Sequence, residues 1–137
     1  MSEGEKMPAA TSYTLVVSSN ASCRKFYVDN LVRRGYLAVS VASALEADGL
    51  LGTTTPALIL VCCMPAGYKS EIEQLRGTFL LAGTLVLVGR DQPDPVWAAL
   101  WHVDLCLSDP LDARQIVETL RPWLPVQVRQ SQAVRLA

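Results

Sequence analysis

Short apolar runs recur along the chain and alternate with amphipathic stretches, five times in all. Most of the runs are rich in β-branched residues and almost continuously apolar, a pattern typical of parallel strands covered by helices on both faces. Strands and helices that alternate in this way predict a doubly wound α/β domain around one parallel sheet. The predicted strands are Tyr13–Ser18, Leu37–Val41, Ala57–Cys62, Leu85–Gly89 and Leu105–Leu107.

The helices between these strands are predicted from the residues at their ends. Asn20 is a suitable N-cap for a helix that runs to Arg34, and Gly35 is a suitable residue to end it. Two further helix starts are predicted by a capping box, in which a Ser caps the helix and a Glu three positions later binds the cap's own amide. These pairs are Ser43 with Glu46 and Ser70 with Glu73.

The last two predicted helices each begin with an aspartate. Asp94 is followed by Pro95, which suits the first helical position because the amide hydrogen is not needed there. Asp112 with Gln115 opens the fifth helix, and the prolines that follow limit its length. Five strands and five helices in alternation therefore complete the predicted α/β domain.

A length of 137 residues suits one domain with one hydrophobic core. The helix and strand signals place this domain at residues 12–125, between a disordered leader at residues 1–11 and a tail at residues 126–137. No composition shift marks a linker or a second domain, so the sequence predicts a stand-alone domain.

The charges are balanced, with 12 Lys and Arg against 13 Asp and Glu, which disfavours binding to the phosphate backbone of nucleic acids. Only 18% of the residues are charged, below the usual share of about 25%, so some apolar surface is expected to meet a partner. The N-terminal residues contain no apolar signal segment. The longest nearly apolar stretch, residues 79–89, is shorter than the roughly 20 residues of a membrane span. The sequence predicts a soluble, cytoplasmic protein with no membrane partner.

The spacing of cysteine and histidine indicates no metal site. The four cysteines are Cys23, Cys62, Cys63 and Cys106, and they form neither a CxxC motif nor Cys/His pairs at zinc spacing. His102 is the single histidine. Three of the cysteines lie in apolar, strand-like runs, where reduced and buried thiols are expected in a cytosol. No metal ion or other cofactor is predicted.

Three loops, at residues 18–20, 62–65 and 108–110, follow predicted strands, and in a parallel sheet the ligand site lies at that carboxyl edge. The motifs around these loops resemble, in order, the receiver domain of bacterial response regulators, the CheY-like fold. The resemblance covers about Tyr13 to Leu124 and implies a five-stranded sheet with strand order 2-1-3-4-5. It is carried by Leu15-Val16-Val17 with Arg24, Leu31 and Gly35, by Ala42, Glu46 and Ala47, by Pro56–Val61 with Met64-Pro65, and by Val103–Leu111.

The resemblance also indicates which phosphorylation residues have been replaced. In the family, two acidic residues after the first strand help to bind Mg²⁺, and these positions correspond to Ser18 and Ser19. The phosphoacceptor aspartate at the end of the third strand corresponds to Cys62 when counted from Pro56. Counting back from Met64 instead makes Val61 the corresponding residue, and neither residue is a carboxylate.

The remaining family positions are replaced in the same way. The Ser or Thr that senses the phosphoryl group corresponds to Gly89, the phosphoryl-pairing lysine to Asp109, and the aromatic switch residue to Cys106. Only Pro110 of the lysine–proline pair is retained. Mg²⁺ prefers carboxylate oxygens, and acyl phosphate formation needs a nucleophilic carboxylate with positive charge beside it. The sequence therefore predicts a phosphorylation-independent pseudo-receiver that is not an enzyme.

In receivers, the fourth helix, fifth strand and fifth helix commonly form the surface that binds a partner or a second copy. Trp97 and Trp101 lie four residues apart on the predicted fourth helix, followed by His102, and Cys106 lies on the fifth strand. Because residues 96–101 contain almost no polar side chain, this helix is expected to be buried on several sides. The two tryptophans are predicted either to pack in the core or to lie at a binding interface, and both alternatives stay open. For His102 a structural role is favoured over a switch. The predicted partner is a protein of bacterial signalling or regulation, with a homodimer as one form.

A sensor of a small anion or of oxidation is the alternative function, built on the Ser18–Asn20 loop and Cys62. N-capping by the loop and structural thiols are the favoured interpretations, since no glycine opens the loop and no Lys or Arg is near Cys62 in sequence. A displaced cation site from Asp91, Asp94 and Asp109 is also disfavoured, because Asp94 is accounted for as a helix cap.

Overall fold

The five apolar runs form one parallel sheet in the computed structural model. Numbered along the chain, the strands lie side by side in the order second, first, third, fourth, fifth. The predicted fold class and strand order are confirmed, and each strand end lies within one residue of its prediction. The strands are β1 (Thr14–Val17), β2 (Ala38–Val41), β3 (Leu58–Cys62), β4 (Thr84–Gly89) and β5 (Leu105–Ser108). The structure describes residues 13–51, 56–62, 64, 67–78, 83–89, 93–108 and 113–124.

Five helices alternate with the strands in the described part of the chain, and a 3-10 turn follows the last of them. None of these helices is long and apolar enough to cross a lipid bilayer. The predicted leader and the whole of the predicted tail lie outside the described residues, so the domain bounds stay predictions. The helices are α1 (Ala21–Arg33), α2 (Ala44–Leu51), α3 (Tyr68–Thr78), α4 (Pro95–Leu100) and α5 (Ala113–Leu120), with the 3-10 turn at Arg121–Trp123.

Alternate side chains of the central strands enter two separate cores, one on each face of the sheet. Leu15, Ile59 and Leu85 pack on the face that α2 and α3 cover, with Ile72 and Leu75 of α3. The neighbouring strand residues pack on the opposite face against α1 and α5; these include Val16, Leu60, Cys62, Val86, Leu31 and Ile116. The continuous apolar runs are thus explained by burial on both faces.

The ends of α1 agree with the prediction. The Asn20 side chain accepts a hydrogen bond from the Cys23 amide at 2.9 Å, so Asn20 is the N-cap. At the other end, Gly35 has φ 91 and donates to the carbonyl of Val32, while the Tyr36 amide donates to Leu31. This Schellman arrangement needs a left-handed residue, which glycine supplies without strain.

The two predicted capping boxes have different outcomes. Ser43 does cap α2, accepting from the Glu46 amide at 3.2 Å, but the Glu46 carboxylate accepts from the Ala42 amide at 2.6 Å and not from that of Ser43. The box at Ser70 with Glu73 is wrong, because α3 already begins at Tyr68 and contains both residues. Glu73 instead accepts a hydrogen bond from the indole of Trp97. Asp112 lies outside the described residues, and α5 begins immediately after it.

Gly83 lies at the one described glycine position where the backbone approaches too closely for a side chain. An added Cβ would overlap the carbonyl oxygen of Ala57, which accepts a hydrogen bond from the Thr84 amide at 3.1 Å. This close approach sets the start of β4 beside β3.

Candidate functional site

The carboxyl ends of the parallel strands bring three of the predicted site residues to one edge of the sheet. Val17 of β1 pairs with Val61 of β3, so Ser18 and Cys62 follow at the same level. Gly89 ends β4 beside Ser108 of β5. The other predicted residues of this edge, Asp109 and Pro110, lie outside the described residues, as do Cys63 and Asp91.

Ser18 is buried and its polar atoms are engaged locally. Its hydroxyl oxygen accepts a hydrogen bond from the Asn20 amide at 3.1 Å, and its own amide donates to the carbonyl of Val41 at 3.1 Å. The carbonyl of Ser18 accepts from the guanidinium of Arg24 at 2.7 Å. Ser19, next in the chain, is exposed. Ser18 therefore shapes the turn from β1 into α1, and Arg24 brings a positive charge to it.

Cys62 is fully buried at the end of β3, and its Sγ lies 3.4 Å from the Sγ of Cys23. Cys23 is partly exposed and lies in the first turn of α1, two residues after the helix begins. Val61, the alternative acceptor position, packs in the core on the other face of the sheet. Of the two positions that the resemblance offers for the phosphoacceptor, Cys62 thus holds a thiol that contacts a second thiol, and Val61 holds an apolar side chain.

Gly89 leaves open space at the end of β4. A Cβ added there would meet no atom within 4 Å, so nothing in the described surroundings fills the place of the missing side chain. The described residues that correspond to the family's site therefore supply hydroxyls at 18 and 19, a thiol at 62, and no side chain at 89.

These groups do not fit Mg²⁺, the metal ion that the receiver resemblance implies. Mg²⁺ is a hard cation that takes oxygen ligands, carboxylates above all, in an octahedral shell. Ser18 and Ser19 offer only neutral hydroxyls, one of them already bonded, and Cys62 offers a soft thiol that prefers other metals. Across the described ranges, no group of three or more His, Cys, Asp or Glu side chains is placed to hold a metal ion.

Trp97 is fixed by contacts with α3. Its indole Nε1 donates to the carboxylate of Glu73 at 3.1 Å, and its ring meets that of Tyr68 edge-to-face with centroids 5.8 Å apart. The Lys69 ammonium lies 5.5 Å from the centre of the indole ring. Trp97 is thus held by aromatic, cation–π and hydrogen-bonding contacts at the margin of the core.

The expectation that the fourth helix is buried on several sides is wrong. None of the residues of α4 is fully buried, and Val96 and Leu100 are 76% and 68% exposed. Trp97 of this six-residue helix and Trp101, its C-cap, pack against the core, whereas the residue before each of them faces solvent. The result is an exposed apolar pair on one side of α4.

The chain leaves α4 through a left-handed residue. His102 has φ 54 and is exposed, and the amide of Val103 donates to the carbonyl of Ala98 at 2.8 Å. This is a Schellman ending with histidine in the position that glycine usually takes. His102 thus contributes its left-handed backbone conformation to the end of the helix. Cys106, four residues later on β5, is half-buried against the core, and this burial raises the pKa of its thiol.

Arg76 of α3 stabilises this turn through hydrogen bonds to its backbone carbonyls, a role that the sequence did not indicate. Its guanidinium is buried and donates to the carbonyls of Trp101 at 3.3 Å and His102 at 2.6 Å. It also lies 3.4 Å from the Asp104 carboxylate, which accepts from the Leu85 amide at 2.7 Å. Burial lowers the pKa of Arg76, and the charge of Asp104 opposes that shift.

Two residues of the carboxyl edge were not predicted as site residues, namely Cys23 and Arg24. Both lie in the first turn of α1, and a helix that follows the first strand of a doubly wound sheet begins at this edge. The position of a cysteine three residues after the N-cap was the available signal. Its pairing with Cys62, 39 residues away, depends on the packing of α1 against β3.

Solved structures of receiver domains are similar to this chain over most of its length. The chemotaxis protein CheY4 of Vibrio cholerae has a TM-score of 0.71 at 16% identity, covering 84% of this chain and 100% of that chain. A CheY-like receiver domain protein of Methanospirillum hungatei has a TM-score of 0.68 at 15% identity, covering 81% and 91%. A response regulator of Thermotoga maritima has a TM-score of 0.67 at 14% identity, covering 82% and 96%.

At these identities the similarity identifies a CheY-like receiver fold, and any function has to be argued from the residues. No protein-family model matches the sequence, and no curated protein matches it either.

Proposed function

We propose that this protein is a phosphorylation-independent receiver-like module that acts in bacterial signalling by binding another protein. The observation that carries the proposal is the state of the acceptor position. Cys62 is a buried thiol against the Cys23 thiol, and Ser18 uses its hydroxyl within its own turn. No described side chain at these positions can serve as the nucleophilic carboxylate of an acyl phosphate.

The charge distribution supports the same proposal. Phosphoryl transfer is catalysed by positioning and by neutralising negative charge, chiefly with a metal ion and a lysine. The Arg24 guanidinium is bonded to the backbone carbonyl of Ser18 at 2.7 Å, so the main chain already engages this cation. The sequence places Asp109 where the family has its lysine, which would add negative charge to this edge.

The exposed apolar pair on α4 supports a binding role. Val96 and Leu100 lie four residues apart, about one helical turn, on one side of α4. Both side chains are largely solvent-exposed in the single chain, and burying such a pair against an apolar surface is favourable by roughly 1.5–3 kcal/mol for each side chain. The partner is a signalling or regulatory protein with a complementary apolar surface, or a second copy of this chain.

The alternative function, binding of a small anion at the Ser18–Asn20 loop, is not favoured by the hydrogen bonds of this loop. The amide of Cys23, which an anion at the α1 N-terminus would need, is bonded to the Asn20 side chain, and the Asn20 amide is bonded to Ser18. Two backbone donors at the start of α1 are therefore already bonded within the loop.

Phosphorylation independence is tested with beryllofluoride or acetyl phosphate and Mg²⁺, followed by Trp fluorescence and amide NMR spectra. We expect unchanged spectra, with a phosphorylatable receiver under the same conditions as the positive control. A saturable change, with peaks shifting near Cys62, would refute the proposal.

The binding surface is tested with the double variant Val96→Gln, Leu100→Gln. Leu45→Gln on α2 is the matched control, because Leu45 is 70% exposed and lies on a different helix. Co-purification of partners and light scattering of the isolated protein are measured for all three proteins. We expect the double variant to lose at least about tenfold in affinity and the control to match the wild type. Equal binding by all three proteins would exclude this surface.

A further inference from the structure

We propose that Cys23 and Cys62 form a reversible disulfide, so that the carboxyl edge of the sheet is an oxidation-sensitive site. The two Sγ atoms lie 3.4 Å apart, although the residues are 39 positions apart in sequence. One thiol is on α1 and the other ends β3, so the bond would join a helix to the centre of the sheet. This inference does not depend on the proposed binding function.

The geometry requires only a small closure. A disulfide has an S–S length of about 2.05 Å, so the sulfur atoms must approach by roughly 1.4 Å from the 3.4 Å of the thiol pair. Cys23 is partly exposed and lies in the first turn of α1. Cys62 is fully buried in the core that α1 covers, with its sulfur already directed at Cys23.

The surroundings divide the roles of the two thiols. An oxidant in solution reaches Cys23, whereas Cys62 is shielded and acts as the resolving thiol. Cys23 lies in the first turn of α1, which contains no acidic residue, and Arg24 follows it. A helix N-terminus favours negative charge on a thiol, and the thiolate is the reactive form.

Hydrogen peroxide is the oxidant in the proposed reaction. The Cys23 thiolate attacks one peroxide oxygen and the O–O bond breaks, giving a sulfenic acid and a hydroxide that is protonated to water. The Cys62 thiol then attacks the Cys23 sulfur, its proton leaves with the sulfenic oxygen, and a second water is released. The two thiols lose two electrons and two protons in total, and a dithiol reductant reverses the change.

The test uses the full chain with Cys63→Ser, because Cys63 adjoins Cys62 and would confuse the assignment of peptides. The protein is treated with hydrogen peroxide, the remaining thiols are alkylated, and intact mass and peptide mass are measured. We expect the loss of two hydrogen atoms, two fewer alkylated thiols than in the reduced protein, and a cross-linked peptide pair containing Cys23 and Cys62. Dithiothreitol should restore both thiols.

Three variants complete the experiment, each checked for folding by circular dichroism. Cys23→Ser and Cys62→Ala should each abolish the cross-link, and Cys106→Ala, the matched control on β5, should form it as the parent does. Retention of both thiols under peroxide in the folded parent would overturn the proposal. So would a cross-link that survives Cys23→Ser or is lost in Cys106→Ala. These readouts involve neither phosphorylation nor partner binding, so their failure leaves the proposed function untouched.

Discussion

The buried guanidinium of Arg76 allows a quantitative test of how the chain is held between α4 and β5. The change is Arg76→Met, which keeps an unbranched apolar stem but removes every donor. Two backbone carbonyls, of Trp101 and His102, then lose their hydrogen bonds to a charged group. Such bonds contribute roughly 1.5–3 kcal/mol each. Part of this gain is already offset in the wild type, because burial of the guanidinium is unfavourable, as the lowered pKa of Arg76 indicates.

From these terms we expect Arg76→Met to lower the free energy of unfolding by about 2–4 kcal/mol. The ion pair contributes little of this, because Asp104 is 46% exposed and 3.4 Å away, so Asp104→Asn should cost less than about 1 kcal/mol. Arg76→Lys should restore only part of the loss, since an ammonium lacks the planar set of donors that reaches two carbonyls.

The assay is urea denaturation followed by far-UV circular dichroism. Arg121→Met is the matched control, because the Arg121 side chain is 57% exposed and pairs only with the exposed Glu118. Its loss should stay below about 0.5 kcal/mol. If Arg76→Met costs no more than Arg121→Met, the carbonyl contacts do not stabilise the fold and the reasoning fails. Amide hydrogen exchange at Val103, whose amide closes the turn, should also accelerate in Arg76→Met but not in the control.

The remaining predictions concern single positions. Gly83→Ala should destabilise by roughly 1–3 kcal/mol in urea denaturation, because the new Cβ overlaps the Ala57 carbonyl. Thr14→Val should stabilise by about 1–2 kcal/mol by thermal unfolding, since the buried Thr14 hydroxyl has no partner among the described residues. His102→Gly should stabilise by about 0.5–1 kcal/mol in the same assay, because φ 54 strains a side chain, and an unchanged Tm would contradict this. Burial raises the pKa of Cys106, so the unfolded chain ionises first and stability should fall as the pH rises through the ordinary thiol range. Cys106→Ala should flatten that decline in a series of denaturation curves.

The strands and most helix ends follow from local sequence. A strand buried on both faces has to be apolar at every position, and β1, β3 and β4 are nearly so, which made their bounds predictable. Caps act within four residues, so Asn20 and Asp94 were identified without any tertiary information. The capping box at Ser70 failed because α3 already begins at Tyr68, and Glu73 inside the helix bonds to Trp97, a residue 24 positions away.

The sequence also determined which residues lie at the carboxyl edge, because the order of parallel strands brings the residues at the strand ends together whatever their chemistry. Ser18, Cys62 and Gly89 were assigned to that edge in this way, and the structure places them there.

Only the tertiary structure decided what these residues contact. Periodicity gives the face on which a side chain lies but not the distance to a side chain of another element. The thiol pair of Cys23 and Cys62, the bonds of Arg76 to the turn after α4, and the exposure of Val96 and Leu100 all depend on how helices sit on the sheet. These contacts join residues that are far apart in the chain. Their energies depend on close packing between separate elements, which the local sequence pattern does not contain.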